Sequence, residues 1–185
     1  MKNIVVGITG ASGSVYIEKI LGKLTKLPVN IYIIASKNGE KIFKEETGKN
    51  LREFTINMAN VKLEDENNFY SPIASGGNNF GVLVCPASMG FLARVASGIS
   101  SNLLERAVDV ALKERRKVVI AVRESPYNLI HLENMLKMAK AGAIIMPLSP
   151  FYYLKPNNLE ELIESFVDRI LKVFLDNYEP LHKWG

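Results

Sequence analysis

The sequence predicts a single α/β domain: a doubly wound, three-layer parallel sheet with helices on both faces, of the Rossmann/flavodoxin-like kind. Short β-branched apolar runs alternate with stretches whose apolar residues recur at helical spacing, the pattern of successive strand–helix units. The runs themselves do not alternate between apolar and polar, as expected of strands buried on both faces. A glycine loop, Thr9-Gly10-Ala11-Ser12-Gly13, stands between the first strand and the first helix. At 185 residues and 48% apolar content, the chain is long enough for one well-buried core and short for two. Residues 1–185 are therefore read as one domain.

Taken in order, residues 2–8 read as a buried strand, and 15–27 as a helix carrying Ile17, Ile20, Leu21 and Leu24 on one face. Residues 29–35 form a second strand, and Ser36-Lys37-Asn38 opens a helix running to Glu46. A short helix is expected within 48–58. The stretch 59–80 is polar and rich in Gly and Asn, with no clear period. Strand character returns at 81–85, followed by a small-residue helix over 87–98. Asn102 with Glu105 three residues later has the spacing of a capping box for a helix reaching about Arg116. A strand at 117–122, a helix at 130–141 and a strand at 143–146 follow. Pro147, Pro150 and Pro156 then hold an extended segment. The last helix, about 159–176, has the clearest apolar stripe: Leu159, Leu162, Ile163, Phe166, Val167, Ile170, Leu171 and Phe174.

Composition narrows the function classes. The net charge of +4 is mild and its basic residues are scattered, which argues against nucleic acid and suits a small anionic ligand. The apolar runs are strand-length, far short of a membrane span, and the N-terminus lacks a signal-peptide pattern. Cys85 is the single cysteine, so no intramolecular disulfide forms and a cytoplasmic setting is expected. At a strand end it reads as a small buried hydrophobe rather than a nucleophile. His131 has no second histidine at ligand spacing, the other being His182, so no metal site is expected there.

The glycine loop lets backbone approach a ligand and presents free helix N–H groups to an anion. A hydride-transferring dehydrogenase is nevertheless disfavoured. The end of the second strand reads Ala35-Ser36-Lys37 rather than carrying an acidic residue for a ribose. None of the seven tyrosines is followed four residues later by Lys.

Polar residues collect where the chain reverses between 86 and 126. Read with the rest, Gly7-Ile8-Thr9-Gly10-Ala11-Ser12-Gly13, Pro72-Ile73-Ala74-Ser75-Gly76, Pro86-Ala87-Ser88-Met89, Leu112-Lys113-Glu114-Arg115-Arg116, Arg123-Glu124-Ser125-Pro126 and Phe151-Tyr152-Tyr153 resemble the UbiX-type flavin prenyltransferases. The resemblance covers residues 3 to about 176. It implies transfer of a dimethylallyl group from dimethylallyl phosphate to N5 and C6 of reduced FMN, with the prenylated FMN passed to a partner decarboxylase. Carried over by motif, flavin contacts fall on Gly10, Ala11, Ser12, Ser36, Ser88, Met89, Gly90, Phe91 and Arg123. Prenyl-phosphate contacts fall on Lys113, Glu124, Tyr153 and Arg169, with Ser12 and Glu46 near the same phosphate. The resemblance also implies a homo-oligomer, a trimer-based dodecamer whose sites are completed by neighbouring subunits.

The residues suit that chemistry on their own terms. Breaking an allylic C–O bond leaves negative charge on the departing phosphate, which fixed cations and hydroxyl donors stabilise. Lys113, Arg123, Arg169 and Tyr153 supply these, and Glu124 is a candidate to manage a proton. The four aspartates, Asp65, Asp109, Asp168 and Asp176, are isolated, so a metal-free reaction fits the inventory better than a clustered-aspartate magnesium site. Three departures stand out. Phe91 replaces a usual Thr or Ser, and Gly90 often a Lys. The family's Gly-Arg-x-Leu-Asp reads Asp168-Arg169-Ile170-Leu171-Lys172 here. Tyr152 competes with Tyr153, and Tyr153 is preferred because it keeps the register. Without the resemblance, Lys113, Arg115 and Arg116 would read simply as cations at a helix C-terminus.

Two other classes fit the sequence less well. An FMN-dependent decarboxylase or oxidoreductase of the related Cys-decarboxylase group shares the Pro-Ala-Ser turn. Its members carry Asn-Thr after that turn and an early catalytic His; here Met89-Gly90 follows, and no His precedes His131. A non-catalytic flavin carrier would be signalled by loss of Glu124 or Tyr153, and both are present.

Overall fold

A computed structural model describes residues 2–78 and 80–181. The elements follow in the order β1 (Lys2–Ile8), α1 (Ser14–Leu24), β2 (Val29–Ala35), α2 (Lys37–Thr47), α3 (Leu51–Thr55), β3 (Val61–Glu64), β4 (Phe80–Ala87), α4 (Met89–Ala96), α5 (Leu103–Lys113), β5 (Val118–Val122), α6 (Leu129–Lys140), β6 (Ile144–Pro147) and α7 (Leu159–Phe174). The strands form one sheet in the order β3-β2-β1-β4-β5-β6, and every neighbouring pair is parallel. The chain thus winds outward from β1 to one edge, returns to the middle at β4, and winds out to the other edge. The strand order reverses between β1 and β4, which opens a crevice at their carboxyl ends.

Side chains alternate across each strand, and both faces are covered. Ile4, Val6 and Ile8 of β1 join Ile31, Ile33, Leu83 and Val119 in a core under α1 and α7. Val5, Ile34, Val82, Val84, Val118 and Ile120 point the other way, into a core with α4 and α5. This double burial explains the unbroken apolar runs.

The expected elements are found, with four differences. The featureless stretch 59–80 contains a further strand, β3. Its pattern was hidden because Glu64 occupies an inward position: the carboxylate is buried and accepts from Ser71 Oγ (3.0 Å) and Asn68 Nδ2 (3.2 Å), with Lys62 Nζ at 2.7 Å. β4 runs on through Pro86 to Ala87, beyond the expected end at 85. The capping box at Asn102 is half formed. Asn102 Oδ1 accepts from Glu105 N–H (2.9 Å), but the Glu105 carboxylate turns to Ser101 and Arg94 instead. Lastly, Leu159 is largely exposed, so the packed stripe of α7 begins at Ile163.

Helix α7 runs alongside α1, tied by Lys19 to Glu164 (3.0 Å) and by Lys23 to Asp168 (2.8 Å). Asp168 is fully buried and also accepts from Tyr178 OH (2.5 Å) and Leu181 N–H (3.1 Å), so it holds the segment after α7 in place. His182 lies outside the described residues. Among the described residues, no helix is long and apolar enough to cross a membrane.

The two central strands are clasped at their carboxyl ends by one side chain. The N–H and Oγ1–H of Thr9 both donate to Pro86 O (3.2 and 2.9 Å), and Thr9 Oγ1 accepts from Ser88 N–H (2.8 Å). Thr9 is buried, so an isosteric Val leaves the Ser88 N–H without a partner. Thr9→Val is expected to cost about 1–3 kcal/mol, a fall in Tm of roughly 2–4 °C per kcal/mol for a chain this size. Thr9→Ser keeps the hydroxyl and is expected to stay near wild type. Denaturant melts of both variants check this; a Thr9→Val midpoint equal to wild type removes the clasp as a stabilising element.

Candidate active site

Helices α1, α2 and α4 begin at the carboxyl ends of β1, β2 and β4, so three helix N-termini face the crevice. Two are capped conventionally. Ser36 Oγ accepts from Gly39 N–H (3.1 Å) and Ser88 Oγ from Phe91 N–H (3.3 Å). Each cap leaves the serine its own proton to donate to a ligand. The glycine loop approaches closely: a Cβ on Gly10 would lie 2.8 Å from Cβ of Asn38, in the first turn of α2. Gly13 sits at φ +124°, a conformation that only glycine adopts without strain.

The third N-terminus is capped from outside. Gly13 carries no side chain, and α2 runs past the start of α1, bringing Glu46 of its last turn to the free N–H groups. The carboxylate accepts from Gly13 N–H (3.0 Å), Ser14 N–H (2.7 Å) and the Ser12 hydroxyl. Partial burial pushes the Glu46 carboxyl up, but these donors together outweigh it and hold the group below the usual Glu range. An anion therefore already sits where a strand–glycine loop–helix unit would receive one.

Beyond β5, Arg123 N–H donates to Ala87 O (3.1 Å), fixing the end of β5 against β4. The Arg123 and Glu124 side chains are exposed at that edge, and Glu124 Oε1 accepts from Ser125 N–H (3.0 Å). Leu148 N–H donates to Val122 O (2.8 Å), and the Leu148 side chain reaches the space above Gly13. The same segment carries Tyr153, whose ring stacks on Phe151 with centroids 4.5 Å apart. Phe151 in turn meets Phe166 of α7 edge-on, and Tyr16 of α1 does the same. This aromatic ladder ties a half-exposed Tyr153 through Phe151 to Phe166 of α7. Tyr152 is more exposed still.

The crevice edge thus gathers Gly10, Ala11, Ser12, Ser36, Glu46, Ser88, Gly90, Arg123 and Glu124, and Tyr153 lies on the segment that follows Leu148. Two of the expected flavin contacts can come from main chain only. The side chains of Met89 and Phe91 turn into the core under α4, where Phe91 is 1% exposed, so 88–91 offers a ligand its main chain, the Ser88 hydroxyl and the open surface at Gly90. The missing hydroxyl at Phe91 is therefore a packing choice. Two other residues are not brought to the crevice within one chain. Lys113 ends α5 at the amino end of the sheet, paired with Glu114 (2.7 Å) and beside Gly76. Arg169 is exposed on α7 one residue beyond Asp168, which sits against Lys23 in the last turn of α1, again far from the crevice.

The remaining candidates settle as structural. Cys85 is fully buried, and burial pushes its thiol well up. His131 closes a capping box with Asn128 at the start of α6: His131 N–H donates to Asn128 Oδ1 (2.9 Å) and Asn128 N–H to His131 Nδ1 (3.4 Å). No group of His, Cys, Asp and Glu among the described residues is arranged to hold a metal ion. The Thr9 clasp went unread in the sequence; the one signal was a β-branched hydroxyl at the end of a buried strand beside a glycine.

Residues 1–171 match the flavoprotein family. The chain is 42% identical over 183 residues to a flavin prenyltransferase UbiX of Methanocaldococcus jannaschii, covering 98% of each. The chain belongs to the UbiX flavin prenyltransferase family. Among solved structures, it is similar to AnUbiX (PadA1) in complex with FMN and dimethylallyl pyrophosphate, with a TM-score of 0.90 and 36% identity over 100% of this chain and 99% of that one. It is also similar to a dodecameric FMN-dependent UbiX-like decarboxylase from Escherichia coli O157:H7, with a TM-score of 0.92 and 32% identity over 99% of each chain. The Gly-Ala-Ser loop and the Arg-Glu-x-Pro turn stand at the same crevice.

The Glu46 cap gives a pH prediction. A carboxyl held low in the folded state adds stability that is complete above the unfolded Glu range and lost as pH falls through its folded value. The Tm difference between wild type and Glu46→Gln is expected to be largest near neutrality and to shrink as pH falls below the ordinary Glu range. Thermal melts from pH 3 to 7 check it; a difference independent of pH would show that the charge on Glu46 contributes nothing.

Proposed function

We propose that this protein transfers a dimethylallyl group from dimethylallyl phosphate to reduced FMN, forming prenylated FMN for a partner decarboxylase. The observation that carries this reading is the convergence of the glycine loop, Ser36, Ser88, Arg123 and Glu124 on one crevice at the switch point, in a chain that matches prenyltransferases over nearly its full length. The crevice fits a flavin phosphate: the Ser36 and Ser88 caps present hydroxyl protons at two helix N-termini, and Gly10 lets the loop lie close to α2. Gly10, Ala11, Ser12, Ser36, the main chain of 88–91 and Arg123 would hold FMN. When bound, its reduced ring supplies the nucleophilic N5 and C6 atoms.

This chain's own residues do the rest. As the allylic C–O bond breaks, phosphate departs with the electron pair, and Arg169, Lys113 and the Tyr153 hydroxyl stabilise its charge. Glu124, exposed beside Arg123, takes up a proton released as the new bonds form. Ser12 and Glu46 stand nearest the glycine loop and hold the same end of the site. The stacked pair of Phe151 and Tyr153 offers an apolar wall against which allylic cation character is stabilised.

Because Lys113 and Arg169 lie away from the crevice of their own chain, they serve the site of a neighbouring subunit. Helix α6 suits such a contact. Met138 is its one buried residue, while Leu129, Ile130, Leu132 and Leu136 are exposed. The related E. coli protein is dodecameric, and a symmetric homo-oligomer is the assembly we propose here. The decarboxylase reading has no specific observation in its favour: the first histidine of the chain caps α6.

Anaerobic incubation with reduced FMN and dimethylallyl phosphate, followed by mass spectrometry, should give a flavin heavier by one five-carbon unit. Glu124→Gln is expected to slow this by about 10²-fold or more, the range for loss of a general acid–base. Lys113→Ala should lose about 10²-fold, as for one lost charge-stabilising donor. Co-expressing these two variants should restore part of the activity in mixed oligomers. Unmodified flavin from wild type would overturn the transferase reading, and failure of the mixture to recover would overturn the shared site.

A further inference from the structure

The segment 72–78, between β3 and β4, lies against α5 and is held there by two arginines. Arg106 Nε donates to Ala74 O (3.1 Å), Arg116 Nη2 to Gly76 O (2.6 Å) and Arg116 Nη1 to Asn78 O. Asn78 Nδ2 donates back to Pro72 O (2.9 Å), which closes the turn on itself. The Arg116 guanidinium also lies over the Phe80 ring, 5.0 Å from its centroid, so the start of β4 backs the same clamp.

The end of α5 is shaped to meet this turn. Arg115 N–H donates to Leu112 O (3.0 Å) and Arg116 N–H to Ala111 O (2.8 Å). Arg115 sits at φ +54°, the left-handed position after a helix that glycine usually fills, and it turns the chain out of the helix. Glu114 and Arg116 consequently both reach Gly76. Arg116 holds the Gly76 carbonyl, while a Cβ on Gly76 would lie 2.6 Å from Glu114 Oε1 and 3.4 Å from Lys113 Nζ. The same Glu114 oxygen accepts from Lys113 Nζ (2.7 Å).

The Lys113 ammonium is thus seated beside the Glu114 carboxylate and the Gly76 α-carbon, with N–H groups left over for a further acceptor. A lysine side chain is a flexible four-carbon stem that loses rotamer freedom when its charge is fixed on a ligand. Fixing it beforehand removes that loss from the binding step and places the charge where a departing anion needs it. Arg106 already anchors the turn at Ala74, whereas the Arg116 end is the one that meets the Lys113–Glu114 pair.

We propose that Glu114, Gly76 and Arg116 are positioning residues for Lys113, with Arg116 holding the turn against which the Lys113–Glu114 pair rests. This rests on the reading in which Lys113 stabilises the departing phosphate at the site of a neighbouring subunit.

The test is a double-mutant cycle with Arg116→Gln and Gly76→Ala, each alone and each combined with Lys113→Ala. In Gly76→Ala the atom in the way is the end of a flexible side chain, so the carboxylate moves and the fold is kept. Each single variant is expected to lower kcat for prenyl transfer about tenfold, less than the roughly 10²-fold that a misplacement of about 1 Å costs, at an unchanged KM for FMN. In the Lys113→Ala background neither is expected to lower it further, because the group they hold is absent. A second readout needs no flavin. Competitive amine labelling with peptide mass spectrometry compares Lys113 with the exposed Lys37 and Lys41, and Lys113 is expected to react more readily in both variants than in wild type. Wild-type rates in both single variants, losses that recur in full without Lys113, or unchanged labelling of Lys113 would overturn the positioning role. An inactive wild type, or a fully active Lys113→Ala, would instead overturn the reading on which it rests, and the labelling still decides the geometry. If Arg116→Gln melts far below wild type, Gly76→Ala alone decides the outcome.

Discussion

The molecule depends on the parallel sheet reversing its direction of winding at one place, and on that place being held shut. β1 and β4 run side by side, and the loops from their carboxyl ends lead to helices on opposite faces of the sheet. Thr9 ties these ends together with one buried hydroxyl that both donates to Pro86 and accepts from Ser88. Two loops that bear ligand-facing groups, one from each half of the fold, are thereby fixed relative to each other. Arg123 extends the same arrangement one strand further through its N–H to Ala87 O, so the Arg-Glu turn is registered against the Ser88 cap.

Around this fixed edge, the three helix N-termini do different work. Ser36 and Ser88 cap their own helices and keep a donor facing outward. The start of α1 is instead satisfied by a carboxylate borrowed from α2, with the donors of Ser12, Gly13 and Ser14 together overcoming the effect of burial. Electrostatically the crevice is therefore asymmetric: one helix end is already neutralised, while two remain open to an anionic ligand. The aromatic ladder of Phe151, Tyr153, Phe166 and Tyr16 links the segment after β6 to α7 and to the first turn of α1.

The fold was legible because double burial writes itself into composition: runs such as Val118–Val122 admit few other readings. β3 was not legible, since Glu64 replaces an apolar residue at its inward position and is satisfied by Ser71 and Asn68, partners that no periodicity reveals. In the site, the glycine loop, Ser36, Ser88 and Arg123-Glu124 stood at strand ends in the sequence and stand at the crevice in the structure. Met89 and Phe91 share a motif with Ser88, yet helical geometry turns their side chains to the core. Lys113 and Arg169 show the converse limit. Sequence motif grouped them with the crevice, whereas the direction of α5 and α7 puts them toward the other end of the sheet, a separation that only three-dimensional connectivity exposes.

In the motif that this stretch of sequence resembles, glycine stands in place of Asp168, which here draws together α1, α7 and the segment beyond the family match, which ends at residue 171. A glycine leaves no charge to balance, so in this chain the helix and the tail are a matched set. Transplanting the tail onto a relative with glycine would strand the Tyr178 phenol without its acceptor. Installing the aspartate in a relative with a shorter tail would leave Lys23 to balance the buried carboxylate without the tail's two donors. Chimeras within the family would therefore exchange the two together or not at all.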